Sequence, residues 1–253
     1  MKKFFSSLFL VLLIIGIAGA ATTFKAAKVA FSGETINLNE AVKSDFSEPA
    51  KIEGEIYYVY DIIAIEEVTR TTYGIETGSE ETNFYLIESY SKEQYEKSID
   101  DEEATADSLT LIYSTGNEDT IAKLDKMVED WYAYEEEIYS ISSSAVTEED
   151  YMKIYDVPLP EDTLEISGMI TEYEDMDELN DYRDEYLGYI YESDELKEYI
   201  DTYCVDMIID NTNVDTSKTF FIVAIAIAIV GLVGLIFTAL SGKKKKAATE
   251  EFY

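Results

Sequence analysis

Two long apolar segments, one towards each end of the chain, dominate its pattern of hydrophobic and polar positions. Residues 4–24 and residues 219–240 contain no charged side chain. A helix rises about 1.5 Å per residue, so 22 residues measure about 33 Å, which exceeds the roughly 30 Å hydrocarbon core of a bilayer. The pattern predicts a membrane-spanning helix at each end, with a lipid bilayer as the first partner.

Lysines flank both apolar segments and set the predicted orientation. A run of lysines beside a membrane helix favours the cytoplasmic side. The predicted parts are a membrane helix in 1–24, an extracytoplasmic domain in 25–218, a membrane helix in 219–241 and a cytoplasmic tail in 242–253 of a cell-membrane protein. The flanking residues are Lys2, Lys3, Lys243, Lys244, Lys245 and Lys246.

The first segment has two interpretations. Lys2 and Lys3, the apolar run that follows them, and the small residues of 18–20 fit a signal peptide cleaved after Ala20. The same stretch is long enough to remain as a membrane helix, which would place both chain ends in the cytoplasm. Either way, the main domain lies outside.

Small residues four apart predict a contact between the two membrane helices if both are retained. Gly16 and Ala20 form one small face, and Ala224 and Ala228 form another. Such faces let helix backbones approach closely in lipid.

Between the apolar segments, strand-like and helix-like periods alternate. Residues 52–73 predict one long bent strand or a hairpin, followed by turn glycines at Gly74 and Gly78. Apolar positions from Ile121 to Ile138 recur at helical spacing after a capping Asn117. Further strands are predicted in 83–90, 108–114, 164–173 and 205–209, and shorter helices near 91, 147, 175–190 and 193–203. The order predicts an α+β domain with a mixed or antiparallel sheet and packed helices.

A short motif occurs twice in this domain. Ile-x-Gly-x-Ile stands at residues 52–56 and again at residues 166–170. A glycine inside a strand marks a bulge or a close backbone approach. The repeat is consistent with one domain or with two related halves.

Charge limits the partners of the predicted domain. Residues 25–218 carry 51 acidic and 13 basic residues, a net charge of −38. Such a surface repels nucleic acid and anionic lipid and attracts basic partners or diffuse divalent cations. The 21 tyrosines of the chain, with many β-branched residues, favour a folded domain despite that charge.

The residue inventory excludes several chemistries. The chain has no His, so histidine-dependent triads and His-ligated metals are absent, and Cys204 is the one cysteine, expected in the core. No nucleotide-binding glycine motif is present, so no cofactor is predicted. Ser89–Lys92 matches S-x-x-K without the motifs that accompany it in enzymes.

Trp131 is expected in the core. The acidic clusters lie at 100–103, 135–137, 148–150, 206 and 210. They fit no calcium loop, which leaves any metal site unknown.

The layout resembles uncharacterised bacterial two-pass membrane proteins of the Firmicutes type that carry an extracytoplasmic domain of unknown function. The resemblance lies in the terminal helices, the strand at Tyr85–Ile87, the helix around Trp131 and the strand at Pro160–Tyr173. It implies no activity and no site residues.

These observations predict a membrane-anchored extracytoplasmic interaction or scaffold protein, partnered with other envelope or membrane proteins and without inferred catalytic activity. One alternative is a surface enzyme that acts on polysaccharide with two carboxylates, which requires partly buried acids roughly 5–9 Å apart. Another is a weak divalent-cation-binding sensor.

Overall fold

A computed structural model describes residues 2–72, 75–100 and 108–250. They form two compact units: one combines the residues up to Glu34 with those from Thr212 onward, and the other spans Thr35–Asn211. The helices are α1 Lys2–Ser32, α2 Lys92–Asp100, α3 Glu118–Ser144, α4 Glu148–Tyr151, α5 Met176–Leu187, α6 Ser193–Tyr203 and α7 Val214–Glu250. The strands are β1 Thr35–Asn37, β2 Lys51–Ile56, β3 Val59–Thr72, β4 Ile75–Glu88, β5 Thr110–Thr115, β6 Leu164–Thr171 and β7 Cys204–Asp210.

The strands form one mixed sheet that curls on itself. Only Tyr57 and Tyr58 separate β2 from β3, yet the two strands lie far apart in the hydrogen-bonded order β1-β2-β6-β7-β5-β4-β3. β2 pairs with β6, while β3 pairs with β4. The backbone N–H of Glu88 donates to the carbonyl of Tyr58 (3.2 Å), so pairing with β4 begins at the junction itself. One long bent strand therefore belongs to both ends of the sheet and closes it into a barrel.

The connectivity of this barrel is a known one. β2 and β3 together count as the first strand of the barrel, β4 as the second, β5 as the third, β6 as the fourth and β7 as the fifth. The order around the barrel is then first, second, third, fifth, fourth and back to first. The third and fifth strands, β5 and β7, are parallel, and the other neighbouring pairs within the barrel are antiparallel. The long helix α3 connects the third strand to the fourth. This is the strand order of the OB-fold, a Greek-key barrel of five strands.

Alternation along the strands separates an inner core from an outer one. On β4, Tyr85 and Ile87 face the barrel interior, where Leu124 and Met127 of α3 join them. Phe84 and Leu86 face outward, because successive side chains of a strand point to opposite faces. The fully buried Leu187 and the buried Leu179 of α5 pack on that outer face, and partly buried residues of α6 complete the cover.

The other unit is a pair of packed helices, α1 and α7, long and apolar enough to cross a membrane. The candidate spans are Phe4–Ser32 and Val214–Leu240, and only 11% of the most apolar window of each is buried, unlike the core helix of a soluble protein. Close contact occurs at glycines, because a Cβ added to Gly16 would lie 2.7 Å from the carbonyl oxygen of Ala224 and would also meet the backbone of Ala228. One added to Gly231 would lie 2.8 Å from the carbonyl oxygen of Phe9.

The boundaries of the two terminal helices differ from the sequence-based prediction. α1 continues past residue 24, since residues 25–30 are good helix formers, and it ends at Ser32 before Gly33, whose φ of +75° suits glycine. α7 begins before residue 219, at Val214, where the Asn213 side chain accepts a hydrogen bond from the Thr216 N–H (2.8 Å).

Most predicted elements of the barrel unit are confirmed, with two local exceptions. The mixed sheet, the long bent strand and the Asn117 cap of α3 are present. The predicted turn at Gly78 is wrong, because Gly78 lies within β4 opposite Arg70; Gly74 is outside the described residues. The sequence also predicts a capping box at Asp175 and Glu178, but Asp175 precedes α5 without a capping hydrogen bond from its side chain.

The two Ile-x-Gly-x-Ile motifs lie side by side. β2 and β6 pair so that Ile52 faces Gly168 and Gly54 faces Ile166. A Cβ at Gly168 would collide with the carbonyl oxygen of Asp210. Close backbone approach thus explains this glycine, while a duplication of the domain stays a prediction.

Candidate functional site

The helix α3 extends well beyond the barrel residues it covers and builds one wall of an open groove. Its cap is formed by Asn117, whose Oδ1 accepts the Thr120 N–H (2.9 Å). Leu124, Met127 and Trp131 are buried at spacings of three and four. Beyond Trp131 the helix continues to Ser144, and Tyr134, Ile138 and Ser142, each four residues apart, line the groove.

We call this cavity of about 670 Å³ the aromatic groove. α2 contributes Tyr95 and Glu96, and the segment after α4 forms the opposite wall. Its lining comprises Tyr95, Glu96, Tyr134, Glu135, Ile138, Tyr139, Ser142, Ile154, Tyr155, Val157 and Leu159.

A packed aromatic cluster lies beneath the aromatic groove. Tyr57, Tyr90 and Trp131 are buried together, which confirms the predicted core position of Trp131. Tyr95 stacks on Tyr90 with ring centroids 5.3 Å apart, and the rings of Tyr95 and Tyr134 both contact Trp131 edge-on at 5.5 Å. Two of the rings that line the groove are therefore held rigidly from behind.

Polar groups reach the aromatic groove from the junction of β2 and β3. The Tyr58 hydroxyl donates to Oε1 of Glu135 (3.2 Å) and so orients a carboxylate of the lining. The Tyr57 hydroxyl is buried and has no hydrogen-bond partner among the described residues. Burial, followed by Tyr95, Glu96 and Tyr134, raises the pKa of Tyr57. The Tyr57 ring also packs against the ring of Tyr95, a lining residue, with centroids 5.9 Å apart, so Tyr57 lies behind the wall of the groove.

The electrostatic character of this region is negative. Residues 118–156, which include α3 and α4, carry twelve acidic and three basic residues, a net charge of −9. None of the lining residues is basic. Burial, with Tyr134 and Glu135, raises the pKa of Tyr95 to about 12, so this phenol is a neutral donor and acceptor at physiological pH.

A second cavity, also about 670 Å³, lies at the start of α3. Its lining includes three carboxylates, those of Glu81, Glu118 and Asp125. Asp125 accepts a short hydrogen bond from the buried Tyr85 hydroxyl (2.6 Å) and thereby helps to hold α3 on the barrel. All three acids, like Glu96 and Glu135, are exposed. Neither cavity thus holds the buried carboxyl group that acts as a general acid in glycoside hydrolysis.

One buried carboxyl group lies elsewhere and was not predicted from the sequence. Oε1 of Glu88 accepts hydrogen bonds from the hydroxyls of Tyr60 (2.6 Å), Thr110 (2.9 Å) and Tyr199 (2.9 Å). Its partners come from β3, β5 and α6, so the group ties α6 to the barrel. No local pattern marks it, because these partners are 22 to 111 residues away.

Part of the surface that OB-fold proteins commonly use is covered in this chain. Oligonucleotides and oligosaccharides bind such proteins on the face of the second and third strands and at two loops, one between the first and second strands and one between the fourth and fifth. Here that connection contains α5 and α6, which pack on the outward residues Leu86 of β4 and Ile112 of β5. The aromatic groove lies elsewhere, between α2, α3 and residues 154–159.

The structure describes the residues predicted for the helix contact but not the side chains of the lysines predicted to set the topology. Gly16 meets both Ala224 and Ala228, while Ala20 and Ala224 are buried in the helix pair. Whether this pairing forms in lipid stays a prediction. The side chains of Lys2, Lys3, Lys243, Lys244, Lys245 and Lys246 lie outside the part of the structure that is described.

Several other sequence features have structural roles. Cys204 is buried, and burial raises the pKa of its thiol to about 11, which makes it unreactive. Ser89 is buried, and its hydroxyl accepts the Leu109 N–H (2.8 Å), so S-x-x-K is not exposed as a nucleophile. Of the acidic clusters, the one at 135–137 contributes Glu135 to the lining of the aromatic groove, while residues 101–103 of the first cluster lie outside the described residues. Within the described residues, no group of three His, Cys, Asp or Glu side chains is placed to hold a metal ion.

Comparisons with known protein families, with curated proteins and with solved structures found no match to this chain. A fold shared by many functions does not identify one of them. The aromatic groove and the apolar helices are therefore the features of this chain that bear on function.

Proposed function

We propose that this protein is a membrane-anchored extracytoplasmic interaction protein whose barrel domain binds a protein partner in the aromatic groove. The groove itself is the observation that carries this function. It combines a large open cavity, aromatic rings fixed from behind and carboxylates at its surface. Aromatic residues are enriched where proteins bind one another, because their large rigid side chains lose little entropy.

The anchoring rests on α1 and α7. Both are apolar over a membrane-spanning length, and the tail lysines favour the cytoplasm for the far end of α7. The glycine contacts between α1 and α7 support the retained helix over the cleaved signal peptide, because a discarded segment has no need of a fitted face.

The enzyme alternative has less support. A carboxylate pair for polysaccharide cleavage needs an acid whose pKa is raised by burial. The acids in both cavities are exposed, and the buried Glu88 is held by three hydroxyls. The sensor alternative has no observation in its favour.

Site-specific photocrosslinking in the native membrane tests the proposal. A benzophenone amino acid replaces Tyr155, a rim residue of the groove with 61% exposure. The matched control places the same amino acid at Tyr189, which is 82% exposed and does not line the groove. We expect a discrete crosslinked protein from Tyr155 and none from Tyr189. Equal labelling at both positions, or none at either, would overturn the proposal.

A further inference from the structure

The charge and the side chains of the aromatic groove indicate which kind of peptide segment it binds. This inference rests on the proposed function. We propose that the groove binds a lysine- or arginine-bearing segment of a partner protein. The charged groups of these basic side chains lie at Glu96 and Glu135. Their methylene chains lie over the tyrosine rings and the aliphatic residues of the groove walls.

The shape of the groove suits a short extended segment. The lining stripe on α3 runs from Tyr134 to Ser142, and these two residues lie about 12 Å apart along the helix axis. At roughly 3.3 Å per residue, about four residues of extended chain cover that length. A segment of this kind presents alternate side chains into the groove and to solvent.

The two walls of the groove match the stem of a long basic side chain. Ile138 of α3, and Ile154 and Leu159 of the opposite wall, supply aliphatic surface. Lysine and arginine bury their methylene stems on such surfaces while the charge stays wet. Tyrosine faces attract the cation directly, and arginine also stacks its planar guanidinium on them.

Charge complementarity selects the sign of the ligand. The lining has two carboxylates and no basic residue, and the surrounding segment 118–156 has a net charge of −9. The Tyr58 hydroxyl fixes Glu135 from behind, so less side-chain freedom is lost when this carboxylate meets a partner. An anionic ligand would be repelled here.

The buried Tyr57 ring supports the lining of the groove from behind. It packs against Tyr95, with ring centroids 5.9 Å apart, and edge-on against Trp131 at 5.5 Å. Tyr57 is fully buried and is not itself part of the lining. The ring that a basic side chain meets here is therefore that of Tyr95, which Tyr57 helps to hold in place.

The test uses the full chain in mild detergent and three acetylated, amidated pentapeptides. One has the sequence ARLRA, the second has citrulline in place of both arginines, and the third has glutamate there. Citrulline keeps the shape of arginine and removes its charge. Trp131, the one tryptophan of the chain, touches Tyr95 and Tyr134 and reports binding by its fluorescence.

We expect the arginine peptide to bind and the citrulline and glutamate peptides to bind at least about tenfold more weakly. Glu135→Gln should weaken the arginine peptide roughly tenfold, because the charge partner is lost. Glu136→Gln removes an equal charge from the next residue, which is exposed and outside the lining, and should have little effect.

Each other outcome overturns the inference. Equal loss in Glu135→Gln and Glu136→Gln means diffuse attraction, and equal binding of the citrulline peptide means that charge is not recognised. Binding of a neutral oligosaccharide but not of the arginine peptide assigns the groove to sugar. If the arginine peptide binds more tightly after removal of residues 243–253, the lysines of that tail compete for the aromatic groove, and the occupant of the groove is this chain itself. If the Tyr155 crosslink persists in these cases, the proposed interaction function stands and only the ligand class falls.

Discussion

At the scale of single residues, Glu88 shows how a carboxyl group is kept inside the barrel unit. It is 2% exposed, and hydroxyls of three different elements donate to its Oε1. Burial, followed by the charge of Glu88, raises the pKa of Tyr60, so this phenol stays a donor over the physiological range. Burying an acid costs free energy unless it is hydrogen-bonded, and the three hydroxyls on Oε1 offset part of that cost. Oε2 is buried without a hydrogen-bond partner among the described residues.

Tyr60→Phe tests this arrangement. Loss of one hydrogen bond to the carboxyl group should lower the free energy of unfolding by about 1–2 kcal/mol. The measurement is denaturant unfolding of the full chain in detergent. Tyr182→Phe is the matched control, because its hydroxyl bonds to the exposed Glu178 (2.8 Å), and it should change stability by less than about 0.5 kcal/mol. Equal effects of the two variants would contradict the assigned role of Glu88.

The residues of the aromatic groove and of the Glu88 cluster were not predictable from local patterns. Tyr57 and Trp131 are 74 residues apart in the chain yet share a hydrogen bond from Trp131 Nε1 to the Tyr57 carbonyl (3.3 Å). The sequence predicts that Trp131 lies on an apolar helix face. It contains no sign of which tyrosines meet that face, because the closure of the barrel brings them there.

At the scale of elements, the pairing of α1 and α7 depends on residues without side-chain bulk. Gly16 lies against the backbone of Ala224 and Ala228, and Gly231 and Gly234 add contacts with Phe9 that were not predicted. The contact of the predicted small faces in lipid stays a prediction. A Cβ built on Gly19 lies 3.3 Å from the Cβ of Ala224, close to the roughly 3.5–4.5 Å of a disulfide.

A cysteine pair at these positions therefore tests the helix contact. In a Cys204→Ser background, Gly19→Cys with Ala224→Cys should form an intrachain disulfide in membranes, detected by mass spectrometry of the cleaved chain. Gly19→Cys with Ile225→Cys is the control and should remain reduced, because Ile225 is 39% exposed on another side of α7. Adding Gly16→Leu should lower the disulfide yield of the first pair. An unchanged yield would contradict close packing at Gly16.

Element types followed the sequence more closely than element arrangement. A run rich in β-branched residues and tyrosine predicted one long bent strand or a hairpin, and helical spacing predicted α3. The strand order was not predictable, because the pairing of β2 with β6 and of β3 with β4 joins residues far apart in the chain. The cover formed by α5 and α6 also depends on this order, since their apolar faces gave no indication of the strands they cover.

At the scale of the whole molecule, buried tyrosines make stability depend on alkaline pH. Burial raises the pKa of many tyrosines from the ordinary value of 10, for example to about 12 at Tyr95 and at Tyr173. A folded pKa above the unfolded one means that the native state binds more protons in this range. The stabilisation is complete below pH 10 and is lost as the pH rises through about 12.

We therefore expect the buried tyrosines to ionise together with unfolding. Two signals should change together in one transition between about pH 10 and pH 12. They are the near-ultraviolet absorbance of phenolate and the fluorescence of Trp131, which reports unfolding. In concentrated guanidinium chloride, the same tyrosines should ionise near pH 10 without a cooperative step. Phenolate that appears before any change at Trp131 would contradict this prediction.

The packed helix pair has a final consequence for the folding of the barrel unit. Thr35–Asn211 is connected at one end to α1 and at the other to α7, and these helices contact each other through their glycines. While that contact holds, the unfolded segment is a closed loop rather than a free chain. A permanent cross-link around a loop this long would remove about 5 kcal/mol of chain entropy from the unfolded state, which is the upper limit for a helix contact that can open. Gly16, Ala224 and their neighbours thus act on barrel stability as a cross-link would, in a chain whose single cysteine permits no internal disulfide.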